Sequence, residues 1–140
     1  MELCLSPLGD MSICNWLFNP MHHPLISIGV PTYKRMEMLR ECVRSILDQS
    51  FQDFELLVAN DDPSEVLDKA RLGFSDEKIK IYNHKNNIGE IANLNFLLAQ
   101  SRGRYFTWLG DDDAYFETFL ESVMLALHKN PNVLATFTSH

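Results

Sequence analysis

The sequence predicts one α/β domain built on a doubly wound, mostly parallel sheet with helices on both faces. Short apolar, β-branched runs alternate with amphipathic stretches of helical spacing, in the order β-α-β-α-β-α-β-α-β. The 140 residues, 46% of them apolar, suffice for one hydrophobic core. Ligands of such sheets bind beyond the carboxyl ends of the strands. We therefore expect any functional site at that edge.

The first half of the domain is predicted to contain three strands and two helices. Residues 25–30 form a β-branched run that Pro31 closes, which indicates a buried strand. Leu39, Val43 and Ile46 recur at three- and four-residue spacing, which is typical of an amphipathic helix. The predicted elements are a strand at 25–30, a helix at 36–49, a strand at 54–60, a helix at 65–72 that ends at Gly73, and a strand at 78–83.

The second half continues the alternation. Ile91, Leu94 and Leu98 share one helical face, and the pair Asn130-Pro131 ends the last helix. The predicted elements are a helix at 91–100, a strand at 105–109, a helix at 115–129 and a strand at 133–138. We expect residues 1–23 to be an extension outside the core and residues 24–140 to form the domain.

Acidic residues follow two of the predicted strands. Asp111, Asp112 and Asp113 come after the strand at 105–109, and Asp61 and Asp62 end the strand at 54–60. Adjacent carboxylates repel one another, so a positive group should neutralise them, and a hard divalent cation that also carries a diphosphate would do so. The alternative is an acidic turn that caps the next helix. Two strands that bring acids to the same edge favour a site.

Charge and cysteine content exclude several classes of protein. The net charge of −7 argues against indiscriminate binding to nucleic acid or to an anionic membrane. The three cysteines lack the CxxC spacing of zinc sites and do not indicate a disulfide framework. Neither a signal peptide nor a membrane span fits the N-terminal residues. We expect a cytoplasmic protein, free or peripheral at the inner face of the membrane.

The loop after the first strand carries no dinucleotide fingerprint, since neither GxGxxG nor a Walker loop is present. Thr32 supplies a hydroxyl there, and Tyr33 offers a flat face for a base, although it could equally pack on the first helix. Asp61 could accept a hydrogen bond from an imide or from a ribose hydroxyl. These groups favour a nucleotide ligand.

Taken in order, these segments resemble the nucleotide-binding half of a family 2 glycosyltransferase with the GT-A fold. The similarity runs from about Pro24 to the C-terminus. It rests on Pro31-Thr32-Tyr33-Lys34-Arg35, on residues 45–55, on Asn60-Asp61-Asp62, on Asn87-x-Gly89 with Asn95, on Gly103-Arg104-Tyr105 and on the acidic triplet.

The resemblance implies inverting transfer of a sugar from a nucleotide diphosphate, most often UDP, to a hydroxyl of a glycan or lipid-linked glycan, as in polysaccharide biosynthesis. Mn²⁺ or Mg²⁺ would be the cofactor. The acidic triplet can be aligned with the family's DxD element in two ways. In one alignment Asp112 is the principal metal ligand, with Asp111 and Asp113 beside it. In the other, Asp111 and Asp113 are the two acids of the motif. The implied nucleotide contacts are Pro31, Thr32, Tyr33, Arg35, Asp61, Asn95 and Asp111.

The sequence departs from the family pattern at two positions and at its end. Lys34 stands where the family usually has Asn, and Leu94 stands where a basic residue is common. Members continue into an acceptor-binding half with an acidic general base, which we therefore expect beyond His140, in a truncated chain. The alternative is a non-catalytic nucleotide-sugar-binding module. A phosphoacceptor receiver domain is disfavoured, because its acidic pair should follow the first strand.

Overall fold

The computed structural model describes residues 23–136 of the chain. The predicted N-terminal extension, apart from His23, lies outside these residues. Four strands alternate with four helices: β1 (Ile26–Thr32), α1 (Met36–Leu47), β2 (Phe54–Asn60), α2 (Lys69–Leu72), β3 (Ile79–Asn83), α3 (Glu90–Gln100), β4 (Tyr105–Trp108) and α4 (Phe119–Lys129). None of these helices is long and apolar enough to cross a membrane.

The four strands form one parallel sheet in the order β3-β2-β1-β4. In the register of the central pair, Thr32 lies opposite Asn60, so β1 and β2 end level with each other. The main-chain N–H of Asp61 then donates to the Thr32 carbonyl at 2.9 Å. The predicted α/β class and the parallel sheet are confirmed, and the loops after β1, β2 and β4 meet at one edge.

Successive side chains of a strand point to opposite faces of the sheet. Because apolar side chains lie on both faces, helices cover both of them. On one face Ile28 and Leu56 join the main core, to which α1 contributes Leu39. On the other face Leu57 packs with Leu97 of α3 in a smaller cluster. Gly29 allows this close approach, because a Cβ there would lie 2.8 Å from the Phe106 ring and 3.2 Å from the Cβ of Leu97.

A buried carboxylate ties the strands together at the opposite, amino edge of the sheet. Glu55 has a side chain only 4% exposed, and it accepts hydrogen bonds from Ser27 Oγ and Lys80 Nζ, both at 2.7 Å, and from the main-chain N–H of Arg102 at 2.8 Å. Burial alone would raise the pKa of Glu55, but these hydrogen bonds outweigh it and lower the pKa below its usual value. Gly103 donates its N–H to Ser27 Oγ at 2.8 Å. The entry into β4 is thereby fixed on β1 and β2.

The structure differs from the predicted elements at several boundaries. Pro31 lies inside β1 instead of closing it, which is tolerated because β4 pairs with β1 only as far as Gly29. Helix α2 is a single turn, since the side chain of Asn83 bonds both the N–H and the carbonyl of Leu67 at 2.8 Å and holds the preceding segment in a non-helical form. Residues 133–136 are not a strand, and the rest of the predicted fifth strand lies outside the described residues.

One predicted helix face and one predicted helix start were also wrong. Ile91 is 71% exposed, and α3 buries Asn93 and Leu97 instead. The last helix was predicted to begin at residue 115, but α4 begins at Phe119, and Phe116 before it is 89% exposed. Both segments are rich in apolar residues all round, so hydrophobic spacing alone does not select the buried face.

Candidate functional site

Two hydrogen bonds hold the end of β4 and the loop after it against β1 at the carboxyl edge of the sheet. The N–H of Leu109 donates to the Gly29 carbonyl at 3.0 Å and sets the acidic triplet beside β1. Thr32 Oγ1 then donates to Asp111 Oδ2 at 2.8 Å, and both residues are buried. Two residues predicted as nucleotide contacts, 79 positions apart in the chain, are therefore in direct contact.

The positive group expected near the triplet is the guanidinium of Arg35. Its Nη1 lies 3.3 Å from Asp111 Oδ1 and 2.9 Å from Asp112 Oδ2. The side chain of Asp111 is 7% exposed, whereas those of Arg35 and Asp112 are about half exposed. An ion pair with such an exposed arginine contributes little to stability. Its chemical importance is that one half-exposed cation balances two carboxylates at a site open to solvent.

Gly110 shapes the space in front of the other acidic side chains. A Cβ on Gly110 would lie 2.9 Å from Asp112 Oδ1 and 3.1 Å from Asp113 Oδ2, so the two carboxylates converge on the place that the missing side chain leaves free. Within residues 23–136 no three His, Cys, Asp or Glu side chains are arranged to hold a metal ion. Two convergent carboxylates nevertheless fit Mg²⁺ or Mn²⁺, which is often bound by one or two carboxylates together with the phosphates of a substrate.

Cys42 holds the acidic loop to α1, a contact that no sequence motif predicts. Its thiol donates to the Gly110 carbonyl, with Sγ 3.4 Å from the oxygen. Burial, followed by the negative charges of the acidic triplet, raises the pKa of Cys42 to about 12. The thiol is therefore protonated at neutral pH and acts as a structural donor.

Asp61 is bound by the main chain of the loop before α3. Its two carboxylate oxygens accept the N–H of Ile88 at 2.8 Å and the N–H of Gly89 at 2.9 Å, and the residue is buried. Gly89 has a φ of 83°, which favours glycine at that turn. Asp61 therefore organises the turn that starts α3. Its predicted contact with a base stays a prediction, and its two oxygens are already engaged.

Asp62, the neighbouring acid, faces a cavity of about 220 Å³ between the ends of β1 and β2. Its Oδ1 accepts both the N–H of Ser64 at 3.0 Å and the Ser64 hydroxyl at 2.6 Å, and these hydrogen bonds lower the pKa of Asp62. The lining residues are Thr32, Lys34, Arg35, Met36, Leu39, Asn60, Asp62, Glu65 and Leu67. Asp61 is not among them, so the geometry favours Asp62 as the acceptor that faces a ligand in this cavity.

The remaining predicted contacts are placed less directly. Tyr33 is 46% exposed at the carboxyl edge, and Pro31 lies in β1. Asn95 is exposed on α3, and its side chain forms no hydrogen bond with the described residues. The buried asparagine of α3 is Asn93, which donates to the Ala59 carbonyl and pairs with His84 Nε2, both at 3.0 Å. Asn93 is thus a structural residue that anchors α3 to the sheet.

Comparison with known proteins identifies the class to which this fold and site belong. The Glycosyl transferase family 2 profile matches residues 27–140, which is most of the chain. The chain belongs to glycosyltransferase family 2, as the resemblance of its motifs indicated.

Its relatives include glucosyltransferases of lipid-linked glycans. The chain is 31% identical to an uncharacterized glycosyltransferase of Rickettsia prowazekii over 80% of its own length. It is 33% identical to the Campylobacter jejuni GalNAc(5)-diNAcBac-PP-undecaprenol beta-1,3-glucosyltransferase over 72% of its length, and 31% identical to the Escherichia coli UDP-Glc:alpha-D-GlcNAc-diphosphoundecaprenol beta-1,3-glucosyltransferase over 76%. The chain spans between 34% and 42% of the length of these relatives.

Solved structures support the fold. Residues 1–349 of S. aureus TarS superpose with a TM-score of 0.66 at 20% identity, covering 82% of this chain and 38% of that one. TarS is also known in complex with UDP and with UDP-GlcNAc. The Pyrobaculum calidifontis mannosyltransferase in complex with GDP-Man and Mn²⁺ has a TM-score of 0.55 at 18% identity, over 74% of this chain and 34% of its own.

Proposed function

We propose that this chain is the donor-binding part of a glycosyltransferase that transfers a sugar, with inversion, from a nucleoside-diphosphate sugar to an acceptor hydroxyl. The observation that carries the proposal is the linked set Thr32, Asp111, Arg35 and Asp112 beside an open cavity at the carboxyl edge of the sheet. A donor of this kind needs a pocket for its base and a balanced charge for its diphosphate, and the cavity and the ion-paired acids beside it support the proposal on both counts.

In this proposal Asp112 and Asp113 hold a divalent cation, with Asp111 supporting them from within the sheet edge. When bound, the cation offsets the negative charge that builds up on the departing diphosphate. Arg35 balances Asp111 and Asp112 in the described structure. With those acids balanced by the cation, the half-exposed guanidinium is free to turn towards a phosphate oxygen, which it binds in a planar, bidentate manner.

The base binds in the cavity lined by Thr32 and Asp62, with Tyr33 at its rim, and Asp62 accepts the hydrogen bond that the sequence assigned to Asp61. Asp61 acts indirectly by holding the turn of Ile88 and Gly89. UDP is the preferred nucleotide in this proposal, because relatives and structural neighbours are named for UDP-sugars.

The acceptor half of the reaction is proposed to involve the rest of a longer protein. Two relatives are named as glucosyltransferases of undecaprenyl-diphosphate-linked glycans, so a hydroxyl of a lipid-linked glycan is the proposed acceptor. The general base that removes its proton would lie outside the part of those relatives that this chain matches. Glu121 is unsuited to that role, since its carboxylate accepts the Ser50 hydroxyl at 2.9 Å on the surface of α4.

Calorimetric titration of the 140-residue chain with UDP, with Mn²⁺ and then with a chelator, tests the proposal. UDP should bind more tightly with Mn²⁺, because clustered acids repel a diphosphate until a cation bridges them. Asp112→Asn should abolish most of that gain, whereas Glu117→Gln, which removes an exposed charge from the same segment, should not. Equal affinity for UDP in Mn²⁺ and in chelator would show that the acids have another role.

A further inference from the structure

The acidic loop, residues 110–115, is attached to helix α1 at both of its ends. At its start, the Gly110 carbonyl accepts the thiol of Cys42, with Sγ 3.4 Å from the oxygen. At its end, the N–H of Tyr115 donates to Ser45 Oγ at 3.1 Å. Cys42 and Ser45 are three positions apart and therefore lie on one face of α1. The acids are thus carried by a loop whose two ends are fixed to the same side of a single helix.

The hydroxyl of Ser45 has a defined orientation. It donates its hydrogen to the Cys42 carbonyl at 2.8 Å, about one turn earlier in α1. Its oxygen then faces the loop as an acceptor, and a hydroxyl oxygen has two lone pairs for this purpose. The partner in the loop is the main-chain N–H of Tyr115 and not a side chain. Ser45 therefore fixes the course of the main chain directly after the acids.

Gln49, one helical turn further along the same face of α1, holds the segment that follows the acidic loop. Its buried side chain donates from Nε2 to the Phe116 carbonyl at 2.8 Å, and its Oε1 accepts the N–H of Leu120 at 3.0 Å. Leu120 lies in the first turn of α4, where Thr118 makes no side-chain capping bond with the described residues. The first N–H groups of a helix lack partners within it, so Gln49 supplies one from α1.

The acids proposed to hold the cation depend on this main chain for their position. Asp112 and Asp113 are exposed, so packing in the core does not fix their side chains. Their carboxylates converge on the space in front of Gly110 because of the course of the loop. Divalent cations such as Mg²⁺ require near-ideal geometry from their ligands. Groups that orient metal ligands are accordingly worth about 10–100-fold in metal affinity.

We propose that Ser45 and Gln49 are positioning residues for the divalent cation. They fix the acidic loop and the start of α4 on α1, and so hold Asp112 and Asp113 in the arrangement that a cation can use. This inference rests on the proposed function. Neither Ser45 nor Gln49 lines the cavity assigned to the base, so their contribution reaches the ligand through the acids.

Loss of either contact should therefore act on the cation and not on the nucleotide alone. In Ser45→Ala or Gln49→Met, the affinity for Mn²⁺ in the presence of UDP should fall about tenfold, the lower end of the range for groups that orient metal ligands. The affinity for UDP in chelator should stay at the wild-type value. A residue that contributed only to stability would change neither affinity in protein that remains folded, so this readout separates positioning from stability.

The test compares the wild-type 140-residue chain with Ser45→Ala, Gln49→Met and Ser27→Ala. Alanine is the best helix former, so Ser45→Ala should stay folded, while Gln49→Met keeps an unbranched side chain and removes both bonds to the segment after the loop. Ser27→Ala is the matched control, because it removes a hydroxyl that bonds Glu55 and the N–H of Gly103 at the opposite edge of the sheet.

Urea unfolding first establishes the conditions in which each protein is folded. Electron paramagnetic resonance of Mn²⁺, whose free aqueous ion gives a distinct signal, then measures Mn²⁺ binding with UDP present. Calorimetric titration with UDP in chelator measures the nucleotide without the cation. If Gln49→Met does not fold, Ser45→Ala alone decides the outcome.

A tenfold loss of Mn²⁺ affinity in the folded α1 variants, with unchanged UDP affinity in chelator and an unaffected Ser27→Ala, would support the inference. Wild-type Mn²⁺ affinity in Ser45→Ala would overturn it and leave the proposed function intact. An equal loss in Ser27→Ala would overturn it too, since the effect would then come from general destabilisation. If wild-type chain bound UDP equally well in Mn²⁺ and in chelator, the proposed function would fail, and this inference with it.

Discussion

Asp61→Asn should destabilise the protein more than it weakens ligand binding, although Asp61 stands in the motif that suggested a base contact. Asp61 is buried and accepts the N–H groups of Ile88 and Gly89 at 2.8 and 2.9 Å. A hydrogen bond to a charged group contributes about 1.5–3 kcal/mol. Asparagine retains one oxygen, while its amide nitrogen turns a donor towards the second N–H.

The expected cost to the free energy of unfolding is therefore about 2–4 kcal/mol, from one lost charged hydrogen bond, one weakened bond and an unpaired buried N–H. The assay is urea unfolding of wild-type, Asp61→Asn and Asp62→Asn proteins. Asp62→Asn is the matched control, since its retained oxygen can still accept both hydrogen bonds of Ser64, and it should cost less than about 1 kcal/mol.

The loss of affinity for UDP in the presence of Mn²⁺ should be larger for Asp62→Asn than for Asp61→Asn, which is the opposite of their order in stability. Asp62→Asn should lose affinity about tenfold or more, because its amide no longer complements the base, whereas Asp61→Asn should bind nearly normally under conditions where it is folded. The reasoning is refuted if Asp61→Asn is as stable as wild type and yet loses UDP binding. In that case Asp61 itself would contact the nucleotide.

Two further expectations concern the two edges of the sheet. Gly110→Ala should reduce the Mn²⁺-dependent gain in UDP affinity without unfolding the chain, since a Cβ would displace the carboxylates of Asp112 and Asp113; calorimetry with and without Mn²⁺ checks this, and an unchanged gain would contradict it. The pKa of Glu55 is lowered on folding, so its stabilising effect is present above the usual carboxyl pKa and lost as the pH falls below it. The difference in free energy of unfolding between wild type and Glu55→Gln should therefore be larger at pH 7 than at pH 3, and urea titrations that give the same difference at both values would contradict this.

Much of the fold follows from local patterns in the sequence. Strand β2 lies at its predicted residues, because an apolar run of that length is buried on both faces of a parallel sheet. Helix α1 begins where predicted, and its spacing of apolar residues identified the buried side. The length of helix α2 was overestimated. The side chain of Asn83, 16 positions further along the chain, bonds the N–H and the carbonyl of Leu67, so these groups are not available for helical hydrogen bonds.

The candidate site was predicted in outline but not in its detail. The position of the acids after β2 and β4 follows from strand order alone. Which acid faces the cavity does not, because it depends on the contacts of Asp61 with the distant Ile88 and Gly89, while Asp62 lines the cavity. The ion pairs of Arg35 with the acidic triplet could not be predicted from the sequence either, because they follow a turn in which Lys34 has a positive φ. Pairs that are distant in sequence, such as Cys42 and Gly110, have no local signal.

The buried Glu55 cluster bears on how such a domain can vary. Ser27 and Glu55 face each other across β1 and β2, and the start of β4 is bonded to the same pair. Shifting any strand by one residue would break several of these bonds at once and leave a buried charge unpaired. The alignment of the sheet is thus set at the edge opposite the candidate site. The loops that form the candidate site can therefore change in sequence without moving the strands that carry them.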